Sequence, residues 1–224
     1  LMSEIEPMDQ GQGAQPWSID RVGVVGMGLI GGSIALDLSQ QGVEVQGLVH
    51  REVTAERARS RGLAPLVSTD PSCLQNCDLV ILALPLESLL SPQESLIKAL
   101  PERAVVTDVG SVKAEVLAVW RDLHPRFVGS HPMAGTAQAG VDAGLTGLFC
   151  GRPWVSTPES STDASALAVI QQLADRLGSH WLTADAARHD QAVALISHLP
   201  VIVSAALLRA VGEERDPAVL ELAR

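Results

Sequence analysis

Residues 22–33 read Val22-Gly23-Val24-Val25-Gly26-Met27-Gly28-Leu29-Ile30-Gly31-Gly32-Ser33. Val22, Val24 and Val25 predict a short buried strand. The run Gly26-x-Gly28-x-x-Gly31 then turns the backbone and opens a helix. Gly26 permits the tight turn, Gly28 lets a pyrophosphate approach the backbone, and Gly31 lets helix and strand pack closely. The unpaired N–H groups at the helix start, with their partial positive charge, suit phosphate oxygens. Gly26, Met27, Gly28, Leu29, Ile30 and Gly31 are therefore candidate cofactor-binding residues. A glycine-rich turn alone is a weak signal, and it also fits a structural turn that binds nothing. Here an amphipathic stretch (Ile30, Ile34, Ala35, Leu38) follows it, and then a second strand over 43–49.

Outward from that unit, strands alternate with helices. Helices are predicted over 52–62, 86–100 and 163–177, and strands over 78–84, 104–107 and 126–130. The apolar run Leu79-Val80-Ile81-Leu82-Ala83-Leu84 is what a central parallel strand needs. The alternation predicts an α/β fold of the Rossmann type, a doubly wound and mostly parallel sheet with right-handed crossovers. Trp154-Val155-Ser156 and Trp181-Leu182 are expected to extend that sheet. Ligands of such sheets sit beyond the carboxyl ends of the strands. Leu84, Pro85 and Asp108 fall on that edge as candidate cofactor contacts, with Ser111 and Lys113 close behind. Ser111 also suits the N-cap of the helix it begins.

The second strand ends at His50-Arg51. About 20 residues past the glycines, NAD-binding chains carry an acid that takes both ribose hydroxyls. His50 and Arg51 at this place favour NADP, because a guanidinium pairs with a 2′-phosphate that a carboxylate would repel. The alternative is a solvated Arg51 with Glu52 in the acidic role.

His131 follows the strand over 126–130, in the Gly/Pro-rich loop His131-Pro132-Met133-Ala134-Gly135-Thr136, on the edge shared with Ser111. From Asp185 the strand signals stop. Residues 186–211 predict a long apolar helix that holds His189-Asp190 and Ser197-His198-Leu199-Pro200. Pro200 should kink it or separate two helices. At about 100° per residue, His189 and His198 point opposite ways on a straight helix. Such a helix needs covering, either by further chain or by a second subunit. Another helix is expected from Asp216-Pro217.

The 224 residues are 46% hydrophobic but only 3% aromatic, so the core must be built from Ala, Val, Leu and Ile. The net charge of −10 argues against a nucleic-acid partner, which calls for a basic face. No uninterrupted apolar run reaches the roughly 18 residues of a membrane span. Residues 1–20 read as a flexible polar tail without a signal sequence, 21–184 as a dinucleotide-binding domain, and 185–224 as the start of a helical domain. Cys73, Cys77 and Cys150 lack metal spacing and suit reduced thiols of a cytoplasmic protein. No metal is expected.

Four blocks together carry a family resemblance: residues 23–33; Asp108-Val109-Gly110-Ser111-Val112-Lys113; Gly129-Ser130-His131-Pro132-Met133-Ala134-Gly135-Thr136; and His189-Asp190 with Ile196-Ser197-His198-Leu199-Pro200. In order and spacing they resemble the prephenate/arogenate dehydrogenase family of tyrosine biosynthesis, and most the NADP-using arogenate branch known from cyanobacteria. The resemblance implies oxidative decarboxylation of a cyclohexadienol, arogenate or prephenate, without a metal. It implies that His131 is the catalytic base for the C4 hydroxyl and that Ser111 orients that hydroxyl. His198, Ser111, Gly135 and Thr136 would shape the substrate site. His189 and Asp190 match a pair with a structural or supporting role. Several members carry an acid where this chain has Ala137. Family chains also continue through further helices, with an arginine for the substrate carboxylate, so this chain is expected to be cut short. The helices imply a homodimer. Rival readings are another Rossmann hydroxyacid dehydrogenase, with a helical lysine as acid/base, and a non-catalytic NADP-binding module.

Overall fold

The computed structural model describes residues 17–213. Six strands form one parallel sheet: β1 (Arg21–Val25), β2 (Glu44–Leu48), β3 (Leu66–Ser68), β4 (Leu79–Leu82), β5 (Val105–Asp108) and β6 (Phe127–Val128), in the order β3-β2-β1-β4-β5-β6. The helices α1 (Leu29–Gln40), α2 (Glu52–Ser60), α3 (Leu86–Leu90), α4 (Glu94–Ala99), α5 (Ala114–Trp120) and α6 (Ala164–Arg176) complete this unit. Every residue of β4 and β5 is buried, as strands covered on both faces must be. Alternate residues serve opposite layers. Leu79 and Ile81 join the core under α1 and α6, while Val80 and Leu82 join Leu89 and Trp120 on the other face. Strand order reverses at β1, between β2 and β4, and that reversal opens a crevice beyond the carboxyl ends.

Five expectations need correcting here. The strands around Trp154 and Trp181 do not extend the large sheet. They are β8 (Pro153–Ser156) and β9 (His180–Thr183) of a separate three-stranded sheet, whose first strand is β7 (Ser130–Pro132). The chain steps between sheets at Gly129, whose carbonyl accepts the Thr157 N–H at 2.9 Å, and a Cβ there would crowd Thr157 and Leu117. His131 therefore sits within a strand, opposite Val155.

The helix over 86–100 is two helices, α3 and α4, because Pro92 pushes Ser91 out of helical conformation. The tail also ends earlier than expected. Trp17 lies 5.0 Å under the Arg176 guanidinium, Ile19 is buried, and the Asp20 carbonyl accepts the Glu44 N–H. Residues 1–16 and the helix expected from Asp216 lie outside the described residues.

Finally, Pro200 does not separate two helices. α7 (Ala186–Val193) runs into a π-helical turn (Ala194–His198) and on into α8 (Leu199–Glu213). The wider turn just before Pro200 makes room for a residue that has a ring and no N–H. The continuous stretch Ala186–Val211 is long and apolar enough to cross a membrane, so the exclusion drawn from uninterrupted apolar runs does not hold for it.

Candidate active site

β1 delivers its carboxyl end to the first glycine turn. Gly26 has φ +93°, and a Cβ there would strike the Ala83 carbonyl at the end of β4. A Cβ on Gly31 would strike the Gly26 carbonyl, so the turn closes only without one. A Cβ on Gly28 would instead meet open space. That space is a cavity of about 1120 Å³, lined by Gly26, Met27, Gly28, Ile30 and Gly31, by His50 and Arg51, and by Leu84 and Pro85. Leu29 is not among its lining residues.

Thr54, Thr69, Ser88, Gln93, Val109 and the loop 139–142 also line the cavity and were missed from sequence. Thr69 follows β3, a three-residue strand marked only by Val67-Ser68 ahead of the Asp70-Pro71 turn. Arg51 is exposed at the cavity, and its guanidinium makes no ion pair or hydrogen bond among the described residues. Glu52 is turned aside, with its carboxylate 2.6 Å from Arg59.

Asp108 also does not line the cavity. Its carboxylate is fully buried, pairs with Lys113 and accepts the N–H groups of Gly110 (2.9 Å) and Ser130 (3.2 Å). Lys113 Nζ donates in turn to the Ser130 carbonyl at 2.8 Å. The ion pair thus grips both backbone polar groups of the residue before His131. Burial pulls the Lys113 pKa down, against the opposing pull of Asp108 and Asp190.

At His131, Nδ1 lies 3.0 Å from Nε2 of His189, and Nδ1 of His189 lies 2.8 Å from Oδ1 of Asp190. Asp190 accepts the N–H groups of Lys113 (2.8 Å) and Ala114 (2.9 Å), so it is Asp190 that caps α5. The expected cap, Ser111, is exposed in the preceding turn, and its hydroxyl has no partner among the described residues. Burial pushes the Asp190 carboxyl up, but the Ala114 N–H, His189 and the Lys113 N–H outweigh it and hold it below the usual carboxylate range.

Burial, then His189, Lys113 and His198, press the His131 pKa down to about 3. The imidazole is therefore neutral at physiological pH. Both His189 and His198 act on His131, although a straight helix would have turned them apart. The π turn between them changes the register. Gly135 and Thr136 are exposed in the loop after β7, and Thr136 Oγ1 accepts the Gln138 N–H. Among the predicted substrate residues, the fold gathers His131 and His198, while Ser111, Gly135 and Thr136 are exposed.

Comparison with known proteins follows this division. Residues 34–183 match the prephenate dehydrogenase nucleotide-binding domain, and residues 185–223 match the prephenate dehydrogenase dimerization domain. A cyclohexadienyl dehydrogenase of Zymomonas mobilis is 32% identical over 192 residues, covering 84% of this chain and 66% of the relative. The crystal structure of Synechocystis arogenate dehydrogenase superposes with a TM-score of 0.79 at 42% identity, covering 91% of this chain and 73% of that one. Prephenate dehydrogenase from A. aeolicus, solved with hydroxyphenyl propionate and NAD+, gives 0.84 at 29% identity over the same shares, 91% and 73%. The chain spans about half to two thirds of the length of the curated relatives it matches. On the two domain matches and these likenesses, the chain belongs to the prephenate dehydrogenase family.

Proposed function

We propose that this chain carries the nucleotide site and the catalytic histidine of an NADP-dependent cytoplasmic dehydrogenase. It converts arogenate to tyrosine, or prephenate to 4-hydroxyphenylpyruvate, by oxidative decarboxylation in tyrosine biosynthesis. The observation that carries this reading is His131. It is a neutral imidazole in β7, just past the carboxyl end of β6, with Nδ1 engaged by His189 and Nε2 without a partner among the described residues. That nitrogen is a base for the C4 hydroxyl of a cyclohexadienol.

A dinucleotide fits the cavity, because the position that a Gly28 side chain would fill is open and the start of α1 lines it. Gly26, Met27, Gly28, Ile30 and Gly31 would hold the pyrophosphate, and His50 and Arg51 the 2′-phosphate end. When bound, the nicotinamide supplies the hydride acceptor for C4. Ser111 orients the hydroxyl, and His198, Gly135 and Thr136 bound the ring. Arg51 supports NADP because its guanidinium is uncommitted, while Glu52, the acid that would favour NAD, is held by Arg59.

A hydroxyacid dehydrogenase with a lysine acid/base is disfavoured. Lys113 is locked on Asp108, and Lys98 pairs with Glu94 on the exposed face of α4. The test is turnover of arogenate, prephenate and L-malate by the complete gene product with each cofactor. Tyrosine or 4-hydroxyphenylpyruvate is the expected product. NADP binding with no turnover of any of them would leave a binding module instead.

The same protein is proposed to be a homodimer. Ile196, Val201, Ile202, Leu207 and Leu208 are each at least 62% exposed along the helical run, within the part matching the dimerization domain. The exposed apolar stretch from Leu199 onward suits a partner helix better than a bilayer, because the same helix is pinned to α5 by Asp190 at its other end. Sedimentation of the complete protein as a monomer at micromolar concentration would overturn this.

A further inference from the structure

We infer that His189 and Asp190 form a proton relay behind His131: as Nε2 of His131 takes the substrate proton, its Nδ1 proton passes to Nε2 of His189, and the cation comes to rest beside the Asp190 carboxylate. The inference rests on the reading of His131 as the base.

Hydrogen-bond bookkeeping fixes the resting state. A carboxylate only accepts, so Nδ1 of His189, 2.8 Å from Asp190, carries a proton. On a neutral His189, Nε2 is then bare. It lies 3.0 Å from Nδ1 of His131, so that Nδ1 must donate. The proton of His131 is thereby on Nδ1, and Nε2 is left as a lone pair. The rings meet edge-on, with centroids 5.2 Å apart and planes at 82°.

The charges around the ring explain why the proton moves on. Burial, the Lys113 ammonium in the turn before α5, His189 on α7 and His198 in the π turn all oppose a cation on His131, and the Asp190 carboxylate alone among its named neighbours favours one. Asp190 is hydrogen-bonded to His189, not to His131. One transfer of about 3 Å therefore moves the positive charge onto the ring that touches the carboxylate. Asp190 is itself held in place by the Lys113 and Ala114 N–H groups, so the helical segment is wired to the sheet at this point.

The step balances. The C4 O–H bond breaks toward His131, leaving its electron pair to form the carbonyl, while the C4–H bond is lost with its pair to the nicotinamide oxidant. The C1–carboxylate bond then breaks, CO2 leaves, and that bond's pair flows through the ring to the C4 oxygen. The phenolate takes its proton back from Nε2 of His131, and the proton on His189 returns to Nδ1.

Two variants of the complete protein test this. Asp190→Asn keeps one oxygen, for the Lys113 N–H and His189, and removes the charge together with the acceptor for the Ala114 N–H. His189→Gln offers an amide oxygen to Nδ1–H of His131 but cannot take the proton. Each is expected to lower kcat about 10- to 100-fold with KM changed less than about threefold. The acidic limb of the kcat profile reports the coupled pair, and Asp190→Asn should move it down by about one pH unit or more, because an opposite charge has been removed. In wild type without substrate or cofactor, ¹⁵N NMR of the histidines should show His131 protonated on Nδ1 and bare on Nε2. The opposite tautomer, an unmoved limb, or His189→Gln with kcat within about twofold of wild type overturns the relay. A wild-type protein that oxidises neither arogenate nor prephenate overturns the functional reading itself, whereas an active wild type with an indifferent His189→Gln overturns the relay alone.

Discussion

The nucleotide cavity and the His131 centre both lie past carboxyl ends of the parallel strands, yet they are made of different materials. The cavity is framed by local backbone: a turn that closes only around Gly26 and Gly31, the start of α1, and the ends of β2 and β4. The His131 centre is made of side chains. His189 reaches it across 58 residues, and Asp190 reaches the Lys113 N–H across 77. The cavity's closure depends on its glycines. A side-chain site fails at any of its links, and one of those links belongs to the helical segment.

The largest effect expected from this contrast is at His131. In the complete protein, His131→Asn keeps size and one hydrogen bond but cannot take a proton. Loss of general-base help costs about 10²–10⁴ in rate, or about 3–5 kcal/mol. Because His131 does not line the nucleotide cavity, NADP affinity by fluorescence titration should be nearly unchanged. More than about a tenth of wild-type kcat would remove His131 from the mechanism, and a parallel loss of NADP affinity would show that the two halves are one site.

The same contrast explains what could be read before the fold was known. The glycine turn, the buried strands and the His50-Arg51 strand end are local patterns, and the structure places those residues around the cavity. Asp108 was misplaced because strand-end position gives an edge but not a side-chain direction, and its partner Lys113 turns it inward. Ser111 was given the cap of α5 for a related reason: Asp190, which caps it, comes from 76 positions further along the chain. The second sheet was hidden because Gly129 breaks a run that reads as one strand. The register of His189 and His198 depended on a π turn, and no local residue pattern announces that turn.

A second test bears on the backbone half alone. Gly31→Ala must force its Cβ against the Gly26 carbonyl, while Gly28→Ala meets nothing within 4 Å. Gly31→Ala should therefore lose about 3 kcal/mol of stability, as forced overpacking does. Gly28→Ala should melt near wild type but bind NADP more weakly, because its methyl enters the cavity. Equal melting temperatures for the two would undo the account of how the turn closes.

The cavity's one proposed side-chain discriminator is smaller still. Arg51→Asp should weaken NADP about 10- to 150-fold, the worth of one charge-assisted pair at about 1.5–3 kcal/mol, and leave NAD much less affected. Equal losses for both cofactors would mean that Arg51 does not read the 2′-phosphate.

The smallest expected effect separates two histidines that share a shift but not a role. His131 and His124 both have pKa values pressed below the ordinary imidazole value, mainly by burial. His124 sits at the foot of β6, where its Nδ1 accepts the Arg126 N–H and its Nε2 donates to the Pro101 carbonyl. Protonating Nδ1 there would break a backbone contact, so the fold holds His124 neutral for packing alone. For both groups the unfolded chain, with imidazole near 6.5, binds a proton that the native state refuses. Stability is therefore level above about pH 6.5 and falls as pH drops through the unfolded value. With the His131 value near 3, that group alone removes about 1 kcal/mol between pH 6.5 and 5.5. Asp37 and Asp175, raised by burial, act in the opposite sense closer to the carboxylate range, so the window above pH 5 reads the histidines. Urea unfolding of the complete protein at pH 7.5, 6.5 and 5.5 should show this decline. His131→Asn should remove about 1 kcal/mol of it, and His124→Asn should flatten the slope while leaving kcat within about twofold of wild type. If His131→Asn leaves the slope intact, the native ring accepts a proton as readily as the unfolded one, and the neutral imidazole assigned to the active site is wrong.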